Sequence, residues 1–308
     1  MKRIMITGGS GYIGRHLIHE LLDRYEDIEI FSMSRSEAEI SQLLNACGQK
    51  DKNKRLRIIM SDIRDKEAVC VYLRNMDTLI HLAALKRVDL CEDECHEAVT
   101  TNVLGTMNLL DNFHGDTFIS MSTDKAVEPA NCYGASKMIA ERLVLEQARK
   151  RENNRRYMIV RSGNVLSSTG SVIDIWQHQI KEYNEITITH PEMMRFITSV
   201  EGVVRLYIAV LEKGENGKIY FTPRGESVII GEMASKFIKQ YGNENTKIRY
   251  IGLRPGERMT EKMRSLTEDN CVAGFEETID LKVPAKLPEI QNDKKPDAVS
   301  PLSLSSAI

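Results

Sequence analysis

The sequence predicts an α/β fold with a doubly wound, mainly parallel β-sheet. Through the first half, short apolar runs rich in β-branched residues alternate with amphipathic helical patterns. The first of these runs passes directly into a glycine-rich loop, and near residue 165 the alternation changes. Strand–helix alternation requires crossover connections, which give parallel strands covered by helices on both faces. Ligands of such sheets bind at the carboxyl ends of the strands.

The elements of the first half follow from these patterns. The predicted strands are Arg3–Thr7, Ile28–Ser34, Arg57–Ser61, Thr78–Ala83, Thr117–Ser122 and Tyr157–Ser162. The clearest helical patterns are Tyr12–Tyr25, with Ile13, Leu17, Ile18, Leu21 and Leu22 on one stripe, and Tyr133–Arg151, with Ile139, Leu143, Val144 and Ala148. Each stripe predicts a helix face that packs on the sheet.

A smaller α/β lobe is expected after this unit. Its predicted helices are Ile173–Tyr183, Val200–Leu211 and Ile230–Gln240, and its predicted strands are Glu185–Thr189, Lys218–Thr222 and Lys247–Ile251. This divides the chain into residues 1–165, a lobe over residues 166–287 above the carboxyl edge of the sheet, and a polar, loosely held tail at 288–308.

Composition narrows the functional classes. The 308 residues carry a formal net charge of −2, so neither nucleic acid nor an anionic membrane is an expected partner. No apolar run approaches the ~18 residues of a membrane span. A signal peptide needs a longer apolar stretch than residues 1–7 offer, together with a small-residue cleavage site, so secretion is not expected. The 6 cysteines lack a disulfide spacing, which predicts reduced thiols in a cytoplasmic protein. Cys91, Cys95 and His96 make a poor tetrahedral set, so no metal is expected.

The loop Thr7-Gly8-Gly9-Ser10-Gly11-Tyr12-Ile13-Gly14 follows the first strand and opens the first helix. Glycines at 8, 11 and 14 permit a tight turn, close approach of a pyrophosphate and close helix–strand packing. Free amide N–H groups and the helix dipole then face the phosphates. The loop therefore predicts a Rossmann-type dinucleotide-binding domain over residues 1–165.

The end of the second strand indicates which dinucleotide is bound. NAD-binding proteins usually carry an acidic residue there, whereas this chain has Ser34 and Arg35. A hydroxyl and a guanidinium suit a 2′-phosphate, so NADP is predicted, with NAD as the alternative. Arg35 as an ordinary surface arginine is the competing interpretation. Asp62 and Ile63, after the third strand, are expected beside the adenine.

Tyr133 and Lys137 are candidate catalytic residues. They lie four residues apart, so one helical face presents both. A buried ammonium near a phenol favours the phenolate, which can act as a base toward an alcohol. Thr123 is expected to bring a hydroxyl to the same oxygen.

Asp124 and Lys125 adjoin that hydroxyl and allow a second reaction. Once carbon 4 of a sugar is a ketone, the carbon-5 proton is acidified, so that a base can remove it while an acid helps the 6-hydroxyl leave. Adjacent residues on a regular strand point in opposite directions, so both can act only if the chain leaves β geometry here. A surface ion pair in a turn is the alternative.

With these motifs, the sequence resembles the extended short-chain dehydrogenase/reductases. More narrowly, it resembles the inverting UDP-N-acetylglucosamine 4,6-dehydratases and the related nucleotide-sugar epimerases, over roughly residues 1 to 268. The segments that carry the resemblance are the glycine loop, His81-Leu82-Ala83-Ala84-Leu85-Lys86-Arg87-Val88, Ser122-Thr123-Asp124-Lys125-Ala126, Tyr133-x-x-x-Lys137, Arg161-Ser162-Gly163-Asn164-Val165, Arg195-Phe196 and Gly252-Leu253-Arg254-Pro255-Gly256-Glu257. Ser162 and residues 167–169 depart from the family pattern near the sugar pocket.

The resemblance implies a role for each matched residue. Lys125 removes the carbon-5 proton and returns it on the other face, Asp124 assists loss of the 6-hydroxyl, and Tyr133 deprotonates the 4-hydroxyl. Further implied cofactor contacts are Leu82, Ala83, Ala84, Lys86 and Val165. Implied substrate contacts are Lys86, Asn164, Ser171, Thr187, Arg195, Arg254 and Glu257, with Arg254 on the UDP diphosphate.

The resemblance therefore implies an NADP-dependent UDP-N-acetylglucosamine 4,6-dehydratase that inverts carbon 5 and forms a homo-oligomer. An epimerase acting at carbon 4 or 5 of the same UDP-sugar is the first alternative. A catalytically silent dinucleotide sensor is the second, although such proteins usually lose the tyrosine or the lysine that are both kept here.

Overall fold

The computed structural model describes residues 1–47, 51, 54–150, 155–166, 171–221, 226–266, 268 and 271–273. The tail at 288–308 and residues 167–169 lie outside them. All strands predicted for the first half are present, with bounds within two residues of expectation. The strands are β1 (Lys2–Thr7), β2 (Ile28–Ser34), β3 (Leu56–Met60), β4 (Thr78–His81), β5 (Thr117–Thr123), β6 (Arg156–Ser162), β7 (Asn164–Val165), β8 (Glu185–Ile188), β9 (Met194–Thr198), β10 (Ile219–Phe221), β11 (Glu226–Ile229), β12 (Lys247–Tyr250) and β13 (Cys271–Ala273).

The helices are α1 (Tyr12–Arg24), α2 (Glu37–Cys47), α3 (Lys66–Leu73), α4 (Val88–Asp93), α5 (Cys95–Ala98), α6 (Gly105–Asn112), α7 (Cys132–Lys150), α8 (Val172–Tyr183), α9 (Val200–Lys213) and α10 (Ile230–Tyr241). Most helices pack on the two faces of the main sheet, and α8 and α10 pack in the smaller lobe. A π-helical stretch, Val99–Leu104, joins α5 to α6, and a 3₁₀ turn, Asp124–Ala126, follows β5.

The apolar stripes of α1 and α7 differ in how well they were predicted. In α1 the stripe is buried from Leu17 to Leu22, with Ile13 partly buried. In α7 the stripe was wrong at Ile139, which is 42% exposed. The buried face of α7 passes through Lys137 and Val144. Because successive residues turn about 100° around a helix, Ile139 faces away from it.

The main sheet has 8 strands in the order β13-β10-β6-β5-β4-β1-β2-β3. Its strand pairs are parallel throughout, so the Rossmann-type prediction is confirmed. The strand order reverses between β1 and β4, which places the ligand crevice beyond Thr7 and His81. His81 bridges this point, with Nδ1 2.7 Å from Thr7 Oγ1 and Nε2 3.0 Å from Thr106 Oγ1. Burial, together with Lys137, lowers the pKa of His81 to about 3, so the ring is neutral.

The second half of the chain contributes both to a small lobe and to the main sheet. A separate small core, with Trp176 and Phe237 at its centre, holds α8, β8 and α10 together. However, β10 pairs with β6 in the main sheet, and α9 packs with α1 against the same core. Residues from both sides of position 165 therefore build the Rossmann unit, because the chain returns to the sheet after entering the lobe.

Within the described ranges, every helix is too short or too polar to cross a bilayer.

Candidate active site

The glycine loop leaves no room for side chains where the backbone turns. Gly8 has a φ of +70°, and a Cβ there would lie 2.7 Å from Ala83 N. A Cβ on Gly14 would lie 2.5 Å from the carbonyl oxygens of Gly8 and Gly9. The first amides of a helix have no intrahelical acceptor, and Gly11 provides no side-chain cap to α1. These residues fit a pyrophosphate, which takes its hydrogen bonds from the backbone.

The predicted 2′-phosphate residues are already engaged with neighbours. Ser34 Oγ accepts a hydrogen bond from the Ser10 amide at 3.2 Å, which supports the glycine loop. Arg35 Nη1 lies 3.0 Å from Asp62 Oδ2, and its side chain is 53% exposed. Burial opposes the ionisation of Asp62, but hydrogen bonds from Arg64 and Arg35 lower its pKa to about 2. Arg35 therefore has exposed donor groups next to a permanent carboxylate.

The other predicted cofactor residues lie around the same crevice. The Leu82 amide donates to Thr7 O at 2.9 Å, so the backbone of Leu82 and Ala83 passes directly over Gly8. Ala84 continues this segment toward Lys86. Desolvation lowers the pKa of Lys86, while the carboxylates of α2 and α8 act in the opposite direction. The side chain of Ile63 is buried against α6, and its position beside the adenine remains a prediction.

The chain leaves β geometry at Asp124, as the shared role of residues 124 and 125 requires. The 3₁₀ turn brings Lys125 Nζ to 3.1 Å from Asp124 Oδ1 and 3.3 Å from Asn164 Oδ1. Asp124 is fully buried, and the Lys125 side chain is 15% exposed. Asp124 Oδ2 is buried without a hydrogen-bond partner among the described residues. A surface ion pair is therefore excluded, and the turn presents a carboxyl group and an amine inside the protein.

Tyr133 and Lys137 lie beside this turn at the start of α7. A Cβ on Gly134 would lie 2.2 Å from Lys125 O, so only glycine lets α7 pack so closely on the 3₁₀ turn. Burial raises the pKa of Tyr133, a hydrogen bond with Thr123 lowers it, and the Asp124 charge raises it. Burial also lowers the pKa of Lys137 to about 8. The expected phenolate is thus disfavoured in the protein alone, because burial and the Asp124 charge together outweigh the hydrogen bond with Thr123.

Two residues of the site were missed by sequence reasoning. Glu261 is 4% exposed, and its Oε1 lies 3.9 Å from Lys125 Nζ. Asn131 donates to Gly256 O at 2.9 Å and accepts from the Gly134 amide at 2.7 Å. The Asn131 side chain thereby connects the loop of Arg254 to the helix that carries Tyr133. In the sequence, the only indication of Glu261 was that an acidic residue lies four positions after Glu257, the last residue of the Arg-Pro-Gly-Glu motif.

The predicted substrate residues fall into two groups. In the first group, Asn164 contacts Lys125, and Val165 follows Asn164 in β7. Arg254 is exposed in a loop in which its backbone amide donates a hydrogen bond to Glu257 Oε2 at 3.0 Å. The residues of the second group have side chains that stabilise the surrounding structure. Ser171 caps α8, Thr187 hydrogen-bonds Gln179, and buried Arg195 donates to the carbonyl oxygens of Met194 and Met259. Substrate contacts of both groups remain predictions.

Comparison with known proteins agrees with this fold and with the motifs. The sequence profile of the polysaccharide biosynthesis protein family matches residues 4–282. The chain belongs to this family. It is 35% identical, over 85% of its length and 80% of the relative's, to an uncharacterised membrane protein of Methanocaldococcus jannaschii. It is 36% identical to the UDP-glucose 4-epimerase of Rickettsia rickettsii, over 87% of the chain and 79% of the relative.

Solved structures of related proteins share the architecture. Pen from Bacillus thuringiensis superposes with a TM-score of 0.80 at 33% identity, over 86% of this chain and 84% of Pen. The dTDP-glucose 4,6-dehydratase DesIV of Streptomyces venezuelae, solved with NAD, superposes with a TM-score of 0.74 at 22% identity, over 85% and 88% of the two chains. The structural neighbours thus include nucleotide-sugar epimerases and dehydratases, some of which contain NAD.

Proposed function

We propose that this family member is a UDP-N-acetylglucosamine 4,6-dehydratase that uses NADP and inverts carbon 5. The proposal depends on one observation: the 3₁₀ turn places the Asp124 carboxyl group and the Lys125 amine 3.1 Å apart, beside Tyr133. A reaction that only oxidises an alcohol does not need this pair. Elimination of water from a ketosugar needs an acid and a base close together.

Each residue of the cluster then moves one proton. Bound NADP would accept the hydride from carbon 4 and give it to carbon 6 after water has left, so the overall dehydration consumes no cofactor. Tyr133 Oη takes the proton of the 4-hydroxyl, Lys125 Nζ takes the carbon-5 proton, and Asp124 gives a proton to the departing 6-hydroxyl, which leaves as water. Lys125 later returns its proton to the opposite face of carbon 5, which inverts that centre.

Thr123 completes the proton balance of this scheme. Its hydroxyl hydrogen-bonds Tyr133 and lies 2.9 Å from Asp124 Oδ1. A proton taken from the substrate by Tyr133 can therefore pass through Thr123 to Asp124, which needs one for the next elimination. Asp124 Oδ2 has no hydrogen-bond partner in the described part of the chain, and this favours binding of a substrate hydroxyl, since a buried oxygen without a hydrogen bond is costly.

An epimerase is the second candidate, because relatives that are 36% identical to this chain are named UDP-glucose 4-epimerase. The two functions differ in the mass of the product. We expect the purified protein to convert UDP-N-acetylglucosamine into a product lighter by one water, as measured by mass spectrometry, with UDP-glucose and UDP-N-acetylgalactosamine tested in parallel. An isomer of unchanged mass would establish epimerisation instead and contradict the proposal.

The role of Lys125 has its own test. In deuterated water the dehydration product of the unmodified protein should carry deuterium at carbon 5. Lys125→Ala should abolish this incorporation while cofactor binding is kept. Full incorporation of deuterium by the variant would assign the carbon-5 base to another residue.

A further inference from the structure

Glu261 is a buried carboxyl group that the proposed proton transfers do not use. It follows the Arg254 loop in sequence and has only 4% of its surface exposed. Buried carboxyl groups are costly unless a charge or hydrogen bonds compensate them. Within the described part of the chain, Lys125 is the cation in ion-pair contact with Glu261. Glu261 is therefore oriented toward the base of the proposed reaction.

The surroundings of Glu261 come from several elements. Arg195 of β9 and Arg258 of the loop act on it as additional positive charges, and Asp124 of the 3₁₀ turn acts as a negative one. Desolvation has the largest effect and raises the pKa of Glu261, while Lys125 lowers it. The carboxyl group of Glu261 is thus influenced by two arginines and by the amine of Lys125.

The chemistry of Lys125 requires a counter-charge at one particular moment. When the carbon-5 to hydrogen bond breaks, its electron pair stays on the sugar and the proton makes Nζ an ammonium. In the proposed scheme Asp124 is the residue that gives a proton to the 6-hydroxyl, so it cannot supply the counter-charge until that proton has left. Among the described residues, Glu261 places a carboxylate oxygen 3.9 Å from Nζ, in addition to the oxygens of Asp124 and Asn164. A fixed negative charge there stabilises the ammonium as it forms.

We propose that Glu261 is a positioning residue that directs the Lys125 amine into the sugar pocket and provides the counter-charge for its protonated form. This inference rests on the proposed function for its catalytic consequence, but the pairing itself can be tested without any sugar. Glu261→Gln keeps the shape and removes the charge. Glu261→Asp keeps the charge on a shorter side chain. Glu128→Gln is the matched control, because Glu128 forms an exposed ion pair with Lys262, the neighbour of Glu261.

The first measurement follows dehydration of UDP-N-acetylglucosamine at different pH values. For Glu261→Gln we expect kcat to fall about 10- to 100-fold, with KM within twofold. The acid limb of the kcat profile should move about one unit lower, because an amine without its counter-charge gives up its proton more readily. Glu261→Asp should restore the position of that limb, and Glu128→Gln should leave rate and limb unchanged. A rate loss in Glu261→Gln with an unmoved limb would mean a purely structural role and overturn the inference.

The second measurement is independent of turnover. The cofactor-loaded protein is labelled with trace acetic anhydride at a series of pH values, and the peptide containing Lys125 is quantified by mass spectrometry. The midpoint of labelling should move about one pH unit lower in Glu261→Gln and stay in place in Glu128→Gln. An unmoved midpoint in Glu261→Gln overturns the inference whatever the reaction is. A moved midpoint in a protein that yields no dehydrated product supports the pairing and rejects only the proposed function.

Discussion

The cofactor side and the acid–base side of this site are built by different means. On the cofactor side, Gly8 and Gly14 create the binding surface from backbone atoms, with no space for a Cβ. On the acid–base side, the side chains of Lys125, Tyr133 and Glu261 converge from separate segments. The first surface depends on local backbone conformation, whereas the second depends on tertiary packing of buried charges. Substitutions should therefore affect the two sides through different quantities.

The largest effect is expected from Tyr133→Phe. Loss of the hydroxyl removes the base for the 4-hydroxyl, so the first oxidation should slow by about 10³-fold. The rate is measured in a single turnover, from the nicotinamide absorbance after UDP-N-acetylglucosamine is added. The cofactor dissociation constant should stay within twofold, because the aromatic ring is kept. Oxidation at more than a tenth of the original rate would remove Tyr133 from this role.

Lys137→Met should show the cost of burying an amine on the acid–base side. Burial lowers the pKa of Lys137 from 10.5 to about 8. Between these values the unfolded chain binds a proton that the folded protein lacks, so the free energy of unfolding rises with pH across this window. Below about pH 8 the full cost applies, about 3 kcal/mol. The variant should therefore be more stable than the parent near pH 7, by up to that amount.

Urea unfolding across the same pH range measures this difference. The advantage of Lys137→Met should shrink as the pH rises from about 8 to about 10.5. Lys236→Met, at an exposed position of α10, should show no pH-dependent difference from the parent. An advantage of Lys137→Met that is the same at every pH would point to apolar packing instead of the lost charge.

The sequence predicted the cofactor side of the site better than the acid–base side. The glycine loop, the individual strands of the first half and the Tyr133–Lys137 spacing were predictable because each depends on residues close together in sequence. Glu261 was not, since only the folded lobe brings it to Lys125, which is 136 residues earlier. The raised pKa of Tyr133 also escaped sequence reasoning. Spacing along a helix shows which residues share a face, but not how deeply that face is buried.

Gly8→Ala tests the backbone-built side with a control inside the same chain. Both Gly8 and Gly217 have positive φ values, +70° and +75°, so alanine costs roughly 1–2 kcal/mol at either position. A Cβ at Gly8 meets Ala83 N at 2.7 Å, whereas at Gly217 the nearest atom is 3.8 Å away. The cofactor dissociation constant should rise about 30-fold in Gly8→Ala only, as measured by fluorescence titration. An equal effect in Gly217→Ala would mean that general destabilisation is responsible.

Arg35→Ala should have the smallest effect, and it determines whether a side chain adds specificity to the backbone-built side. Arg35 is mostly exposed and shares Asp62 with Arg64, so its removal should change thermal stability little. If it binds a 2′-phosphate, the dissociation constant for NADP should rise about tenfold while that for NAD stays within twofold. Arg57→Ala, an exposed arginine paired with Glu29 on the adjacent strand, should change neither. Equal weakening of both cofactors would mean that Arg35 acts through Asp62, the residue that the sequence predicts beside the adenine. With neither cofactor weakened, Arg35 would be an ordinary surface arginine, and recognition on this side would come from the backbone alone.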